Sequence, residues 1–285
     1  MRYYSQKTWG VVVENMQIPL VIKPRKNISK VGVIPLLIHQ TYITNSVPHR
    51  MYASAYSWIE NNPEFEYRFY DDDLCYRLIK EHFSEHVLQA YEKLPKGAFR
   101  ADFWRYCCLF IHGGVYADID TVCRSPLRKL IKPEDTLIIP RGVLHKTFMY
   151  NAFICTEPGN LIIKSVIDTA VEIIHSGMKT GDSGVKEIFF SVFGNQHSTD
   201  IDRTAEVFGI VGPLGLGRAL NKFLGNDLHA AFSIGRAKGK NRGIRILRFT
   251  KRFGVTDGFR RVLDTRYDGY FEDQINSGGG HWLSS

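Results

Sequence analysis

The sequence has no apolar run long enough to cross a membrane. Its uninterrupted apolar stretches fall far short of the roughly 20 residues that a spanning helix needs. Residues 1–20 are interrupted by Gln, Lys, Glu and Asn, unlike the apolar stretch of a secretion signal. We therefore expect neither a leader nor a membrane anchor, and a cytoplasmic location.

Cysteine is scarce and irregularly spaced. The five cysteines are an odd number, and no two have the Cys-x-x-Cys spacing of zinc sites. Cys107 and Cys108 lie in an apolar stretch, where cysteine usually packs as a small hydrophobic residue. These features argue against a zinc domain and a disulfide framework, and they predict reduced thiols.

Acidic residues are nearly absent from one segment near the C-terminus, residues 236–261, which we call the basic strip. It contains ten Lys or Arg and one Asp, whereas the rest of the chain has 27 basic and 28 acidic residues. Nucleic acid, an anionic membrane surface and a phosphorylated ligand are candidate partners, and a solvated, mobile loop or hairpin is the alternative. The strip lacks the aromatic interleaving of single-strand binders. We therefore expect no nucleic acid and retain peripheral membrane contact.

Strands and helices alternate along most of the 285 residues. Apolar patterns and turn residues predict strands over 31–42, 66–70, 135–142 and 151–158, and one from 115. They predict helices over 48–61, 72–92, 98–111 and 159–176, and one starting near 213. The alternation is typical of an α/β fold with a mainly parallel central sheet between helices. We expect an N-terminal extension (1–30), a core (31–225) and a basic, glycine-rich C-terminal segment (226–285).

The sequence GGVYADID, residues 113–120, places two acids at the carboxyl end of a predicted strand. Asp118 and Asp120 would share one side of that strand, because strand side chains alternate with period two. Two neighbouring carboxylates repel each other unless a positive charge lies between them. The pair is therefore either a solvated strand edge or a site for a divalent cation.

The helix before this strand carries a further acid and a base on one side. Asp102 and Arg105 are three residues apart, so they face the same way, and the short Gly-Gly reversal returns the strand beside the helix. We expect Asp102, Arg105, Asp118 and Asp120 to converge on one pocket. Carboxylate oxygens favour Mg²⁺ or Mn²⁺ over zinc.

The motif ADxxRxxxLxxxGGxYxDxD, residues 101–120, resembles the DXD-motif glycosyltransferase family 32. That family includes fungal initiation-type α-mannosyltransferases and bacterial capsule glycosyltransferases, with clostridial glucosylating toxins as distant relatives. The similarity extends over residues 33–220 through IPLLIHQTY, NAFICTEPGN and VGPLGLGRAL. It implies a GT-A (Rossmann-like) fold and metal-dependent, retaining transfer from a nucleotide-sugar donor.

The resemblance also implies roles for the residues of the motif. Asp102 would bind sugar hydroxyls, and Arg105 would hold sugar or phosphate oxygens. Tyr116 would lie beside the site. Asp118 would contact ribose or sugar, and the metal through water, whereas Asp120 would ligate Mn²⁺ or Mg²⁺ directly. Asp102, Arg105 and Asp118 are thus the expected catalytic residues.

Positions outside the motif receive donor-binding roles from the same resemblance. His39, Gln40 and Thr41 match the segment that receives the nucleobase, and Tyr42 stands where relatives often have tryptophan. Asn151 matches a position near the sugar and the acceptor. Three more expected contributors are Ala98 on the donor side, His281 as a metal ligand and Trp282 as a lid over the diphosphate.

The expected reaction moves a sugar from a nucleoside-diphosphate donor to a glycan, lipid-linked or protein acceptor. A UDP-sugar is the favoured donor, and GDP-mannose is the other candidate. The alternative is a nucleic-acid-binding or metal-dependent phosphodiester enzyme that uses the basic strip. Salt-sensitive retention on DNA or heparin without nucleotide-sugar turnover would favour that alternative. The oligomeric state has no signature in the sequence.

Overall fold

Strands and helices alternate in the computed structural model, which describes residues 15–27, 32–95, 97–194, 199–252, 254–258 and 260–276. The first elements are β1 (Asn15–Gln17), β2 (Val21–Ile22), β3 (Leu37–Thr41), β4 (Ser46–Pro48), α1 (His49–Asn61), β5 (Glu66–Tyr70), α2 (Asp72–His82), α3 (Glu85–Lys93) and α4 (Ala98–His112). The middle elements are β6 (Gly114–Ala117), β7 (Val122–Cys123), α5 (Leu127–Leu130), β8 (Leu137–Pro140), β9 (Phe153–Thr156), α6 (Leu161–His175), α7 (Ser183–Phe193), α8 (Thr199–Ile210) and α9 (Pro213–Leu224). The last are β10 (Gly235–Arg236), a 3-10 turn (Gly239–Asn241), β11 (Ile244–Thr250), β12 (Gly254–Asp257), β13 (Arg260–Asp264) and α10 (Tyr270–Asn276).

Most predicted elements are confirmed, with three differences. β5 has the predicted bounds, and α4 continues one residue past its predicted end. The helix predicted over 72–92 is two helices, because the backbone is extended at Phe83 and Ser84 between α2 and α3. The helices α7, α8 and α10 had no counterpart in the sequence prediction.

The central sheet is mixed, whereas the sequence predicted a mainly parallel one. Its strand order in the described residues is β2-β5-β3-β6-β9-β8-β11-β12-β13-β7, with β10 beside β11. Only β3 with β5, β3 with β6 and β8 with β11 are parallel pairs there. β9 runs antiparallel to β8 because residues 141–152 between them contain no crossover helix.

Helices cover both faces of the sheet, as expected for an α/β fold. On one face α2, α3, α4, α6 and α9 enclose a core that includes Trp104 and Ile163. On the other face α1 packs through Trp58 against the C-terminal strands, including Leu263. None of the helices in the described ranges combines the length and apolarity needed to cross a membrane.

Two glycines reverse the chain between α4 and β6. Gly113 and Gly114 have φ angles of 60° and 94°, a region that is costly for residues with a Cβ. A Cβ on Gly113 would lie 2.6 Å from the backbone nitrogen of Pro158, and one on Gly114 would lie 2.7 Å from the carbonyl oxygen of Leu37. The pair therefore lets β6 pack tightly against β3 and return alongside α4.

Candidate functional site

The aspartate pair lies in a turn that begins immediately after β6. The strand ends one residue before Asp118, so the prediction that Asp118 and Asp120 share one side of a strand is wrong. The backbone N–H of Asp118 donates to the carbonyl of Ala152 at 2.9 Å, and its carbonyl accepts from the N–H of Thr121 at 3.0 Å. The side chain of Gln40 also donates to this carbonyl, at 3.2 Å. These bonds fix the turn at the carboxyl end of β6.

A buried arginine joins the helix to this turn. Nη2 of Arg105 lies 2.8 Å from Oδ1 of Asp102 and 3.2 Å from Oδ1 of Asp118. Its Nη1 donates to the carbonyl of Asn151 at 2.9 Å. The structure therefore brings Asp102, Arg105 and Asp118 together, as the sequence analysis expected.

Aromatic hydroxyls hold the polar side chains of this group in place. The hydroxyl of Tyr116 donates to Oδ1 of Asp118 at 2.6 Å, and the Arg105 guanidinium lies 4.4 Å from the centre of the Tyr116 ring. The Asn151 amide donates to the hydroxyl of Tyr106 at 3.2 Å. Side chains held in this way keep one geometry before any ligand arrives, which favours precise binding.

The site has more acid than base. Burial raises the pKa of Asp102 to about 7, with Arg105 opposing the shift and Asp118 adding to it. Burial and then the charge of Asp118 raise the pKa of Asp120 to about 7. Burial lowers the pKa of Arg105, but Asp102 and Asp118 raise it by more. A site with this excess of negative charge favours a bound cation.

The donor atoms fit the divalent cation that the DXD motif implies. Asp118 and Asp120 are partly exposed and offer carboxylate oxygens, the ligands that Mg²⁺ and Mn²⁺ prefer. Among the described residues, no three His, Cys, Asp or Glu side chains cluster as metal ligands would. His281, the predicted third ligand, lies outside the described residues. Mg²⁺ commonly uses one or two carboxylates and completes its ligands with substrate phosphates and water.

His39, expected at the nucleobase, turns its side chain into the interior. It is fully buried, with Nε2 3.0 Å from the carbonyl oxygen of Gly113 and Nδ1 3.3 Å from the hydroxyl of Tyr70. Burial lowers the pKa of His39 to about 3, so the ring is neutral. In this structure His39 links β3 to the glycine reversal and offers no open ring edge to a ligand.

Gln40, Thr41 and Tyr42, the next three positions, differ in how far their side chains are exposed. Gln40 accepts from the hydroxyl of Tyr67 at 2.9 Å and is buried, and Thr41 donates from its hydroxyl into the backbone at 2.8 Å. Tyr42 is partly exposed, and burial followed by the charge of Asp120 raises its pKa. Of these three, Tyr42 alone lies open beside the aspartate pair.

Two further predictions concern positions at the margins of the site. Ala98 is the first residue of α4, one turn before Asp102, and it is exposed. Trp282, the predicted lid, lies outside the described residues, as His281 does.

The segment before α10 adds residues that sequence reasoning missed. Arg266 partly offsets the raised pKa of Asp120, and the charge of Asp120 contributes to the raised pKa values of Tyr267 and Tyr270 after burial. Burial and then the charge of Asp120 also raise the pKa of Tyr150. The stretch TRYDGY, an arginine among aromatic residues, was the available signal in the sequence. Its pairing with the distant aspartate turn could not be predicted from the sequence.

The basic strip forms part of the sheet: β11, β12 and β13 pair antiparallel in succession, which agrees with the hairpin alternative and not with a loop. Its Arg245 is buried, and Nη2 lies 2.7 Å from Oδ2 of Asp135, whose Oδ1 lies 2.7 Å from Nη2 of Arg236. Lys238 and Lys240 remain exposed on the turn between β10 and β11. Part of the strip's charge is therefore balanced inside the fold and part faces solvent.

Comparison with known proteins shows that this site lies in a segment that matches a protein family. Residues 48–137 match the family described as a glycosyltransferase sugar-binding region containing the DXD motif. An uncharacterised glycosyltransferase of Acanthamoeba polyphaga mimivirus is 37% identical over 97 residues, which cover 33% of this chain and 39% of that protein. The initiation-specific alpha-1,6-mannosyltransferase of Candida albicans is 36% identical over 95 residues, covering 33% of this chain and 25% of that protein. The matches thus span well under half of these relatives.

A solved structure supports the fold over most of the chain. The ligand-free glycosyltransferase domain of the YGT toxin superposes with a TM-score of 0.50 at 10% sequence identity, covering 88% of this chain and 87% of that one. The predicted α/β fold of the GT-A class and the resemblance to DXD glycosyltransferases are both confirmed.

Proposed function

We propose that this chain is a metal-dependent, retaining glycosyltransferase that uses a nucleoside-diphosphate sugar. One observation carries the proposal: the segment that matches the DXD family is the segment in which Asp102, Arg105 and Asp118 converge beside Asp120. The family match supports sugar transfer as the reaction class, and the partly exposed aspartate pair offers the ligands that a diphosphate-bound cation needs.

The chain's own residues would bind and orient the donor. Asp102 is kept in place by Arg105, and its carboxylate would accept hydrogen bonds from sugar hydroxyls. Arg105 adds a fixed positive charge near the scissile bond. Asp118 and Asp120 would hold the divalent cation, which as a Lewis acid would neutralise charge on the departing diphosphate.

In the proposed reaction the bond from the anomeric carbon to the phosphate oxygen breaks, and a bond to the acceptor oxygen forms on the same face. The acceptor's proton passes to the departing phosphate oxygen, so the step needs no carboxylate nucleophile. Arg105 lies between two carboxylates and stays charged throughout, which suits a positioning and electrostatic role.

A donor and an acceptor are proposed within this class. We propose a UDP-sugar as donor, and the fungal mannosyltransferase relative supports mannose, hence GDP-mannose, as the competing choice. A glycan or glycolipid is the proposed acceptor. Tyr42 beside Asp120 offers an aromatic surface for the base.

A ligand screen tests the donor. We expect one nucleoside diphosphate or its sugar, UDP-linked first, to raise the melting temperature by several degrees with Mn²⁺ and much less without it, because binding to the folded state stabilises it by mass action. Thermal melts with UDP-sugars, GDP-mannose and both free nucleoside diphosphates, each with Mn²⁺ or EDTA, give the comparison. No shift with any of them at millimolar concentration would contradict the proposal.

We also propose peripheral contact with anionic membrane through the exposed part of the basic strip. Each Lys or Arg near such a surface contributes about 1 kcal/mol, so replacing Lys238, Lys240 and Arg242 with glutamine should release the protein from vesicles containing phosphatidylserine. Sedimentation with anionic and neutral vesicles measures this. Equal binding to both vesicle types would contradict the proposal, and Lys80→Gln, at an exposed position of α2, is the control.

A further inference from the structure

The loop after β13 begins beside the aspartate turn, because β13 pairs with the strand that follows this turn. β13 pairs antiparallel with β7, with Leu263 opposite Cys123 and Asp264 opposite Val122. Arg266 follows the last paired residue of β13 by two positions, and Asp120 precedes the first paired residue of β7 by two, so the pairing brings the two residues near each other.

Two aromatic rings hold the guanidinium of Arg266. Its central carbon lies 5.1 Å from the ring centre of Tyr270 and 4.8 Å from that of Phe271. Such cation–π packing positions an arginine while its N–H groups stay available at the edge. In the described residues no carboxylate oxygen lies within 4.0 Å of this guanidinium, and the residue is exposed.

Neighbouring arginines are committed to structural pairs. Nε of Arg124 lies 2.6 Å from Oδ2 of Asp264, and Arg261 pairs with the same carboxylate. Arg50 contacts Glu272 at 2.6 Å. Arg266 differs because aromatic rings hold it next to the aspartate turn, and its guanidinium forms no ion pair or hydrogen bond with the residues that the structure describes.

We propose that Arg266 binds the diphosphate of the donor at the aspartate turn. This inference rests on the proposed function. A diphosphate at the turn would meet the forked donors of Arg266, which match phosphate geometry, and the charge that develops on the leaving group would be shared between this arginine and the metal.

The alternative role, a counter-ion for Asp120 alone, predicts a different outcome. A counter-ion competes with the metal, so removing it would leave diphosphate binding unchanged or tighter. If Arg266 binds the diphosphate, its removal would instead weaken binding of the nucleoside diphosphate and leave binding of the nucleoside unchanged, since the nucleoside has no phosphate to contact.

Calorimetric titration of UDP, GDP, uridine and guanosine, with Mg²⁺ present, separates these roles in Arg266→Gln, Arg266→Lys and Arg128→Gln. We expect Arg266→Gln to weaken the tighter nucleoside diphosphate about tenfold, as expected for a lost charge-assisted bond, and to leave its nucleoside unchanged. Arg266→Lys should recover part of the loss, and Arg128→Gln, an exposed arginine on α5, should match the parent protein.

Two results would overturn the inference, and they are distinguishable. If the parent protein binds UDP or GDP and Arg266→Gln binds it equally well, the assignment of Arg266 fails while the proposed function stands. If the parent protein binds neither diphosphate, the proposed function fails and the role of Arg266 fails with it. Thermal melts of each variant confirm that the exposed substitution leaves the fold intact.

Discussion

Asp120→Asn is expected to stabilise the metal-free protein at pH 8 while reducing nucleotide-sugar turnover by about 10³-fold. Loss of turnover follows because the amide cannot supply the anionic ligand that a divalent cation needs. Stabilisation follows because burial and Asp118 make the charge on Asp120 unfavourable in the folded state. Asp120 would thus lower the stability of the free protein and bind the cation in the complex.

The stabilising part of this prediction depends on pH in a defined direction. The pKa of Asp120 is about 7 when folded, against 3.8 for a free side chain. The folded state therefore binds the extra proton, and stability falls as pH rises from about 4 to 7. Allowing for partial solvent screening, we expect Asp120→Asn to gain about 1–3 kcal/mol at pH 8 and little near pH 4.

Urea unfolding at both pH values, in EDTA, measures this gain. Asp227→Asn, an exposed acid after α9, is the control and should change stability by no more than about 0.5 kcal/mol. A variant at position 120 that is less stable at pH 8, or that keeps full turnover, would show that the carboxylate has another role.

Arg105→Met is expected to be the most destabilising single substitution at the site, by about 3–5 kcal/mol. The change removes the cation between Asp102 and Asp118 and leaves Asp102 almost fully buried with no balancing charge. It also removes the donor to the carbonyl of Asn151. Breaking a buried pair from one side costs more than replacing both partners.

The double variant Asp102→Asn with Arg105→Met separates stability from function. Because it removes the buried acid together with the base, it should recover at least half of the lost unfolding free energy while turnover stays undetectable. Denaturant unfolding beside a turnover assay provides both readouts. Recovery of activity along with stability would mean that Asp102 and Arg105 only hold the fold together. Arg128→Met serves as the exposed control.

The central part of the site was readable from sequence because its signals are local. Asp102 and Arg105 are one helical turn apart, and the two glycines that follow require a reversal that only a few conformations satisfy. The return of β6 beside α4 follows from those signals. The turn at Asp118 was misread as strand because two of the bonds that fix it come from Ala152 and Gln40, which are distant in sequence.

Strand direction and long-range pairing set the limit of prediction. The apolar residues of β9 suit either direction in a buried sheet, so the short link of residues 141–152, which contains no crossover helix, was the available sign that β9 is antiparallel to β8. Arg266 reaches the site through the pairing of β13 with β7, which joins segments about 140 residues apart. The inward direction of His39 likewise depends on its bonds to Gly113 and Tyr70 rather than on its neighbours in sequence.

The most direct test of the central claim is release of nucleoside diphosphate from UDP-sugars and GDP-mannose, with Mn²⁺ or EDTA, by the parent protein and by Asp120→Asn. The account predicts metal-dependent release from one donor by the parent protein and about 10³-fold less by the variant. No release from any donor, or equal release by the variant, would contradict a transferase whose metal is held at Asp120. Salt-sensitive retention on DNA in that case would favour the phosphodiester alternative.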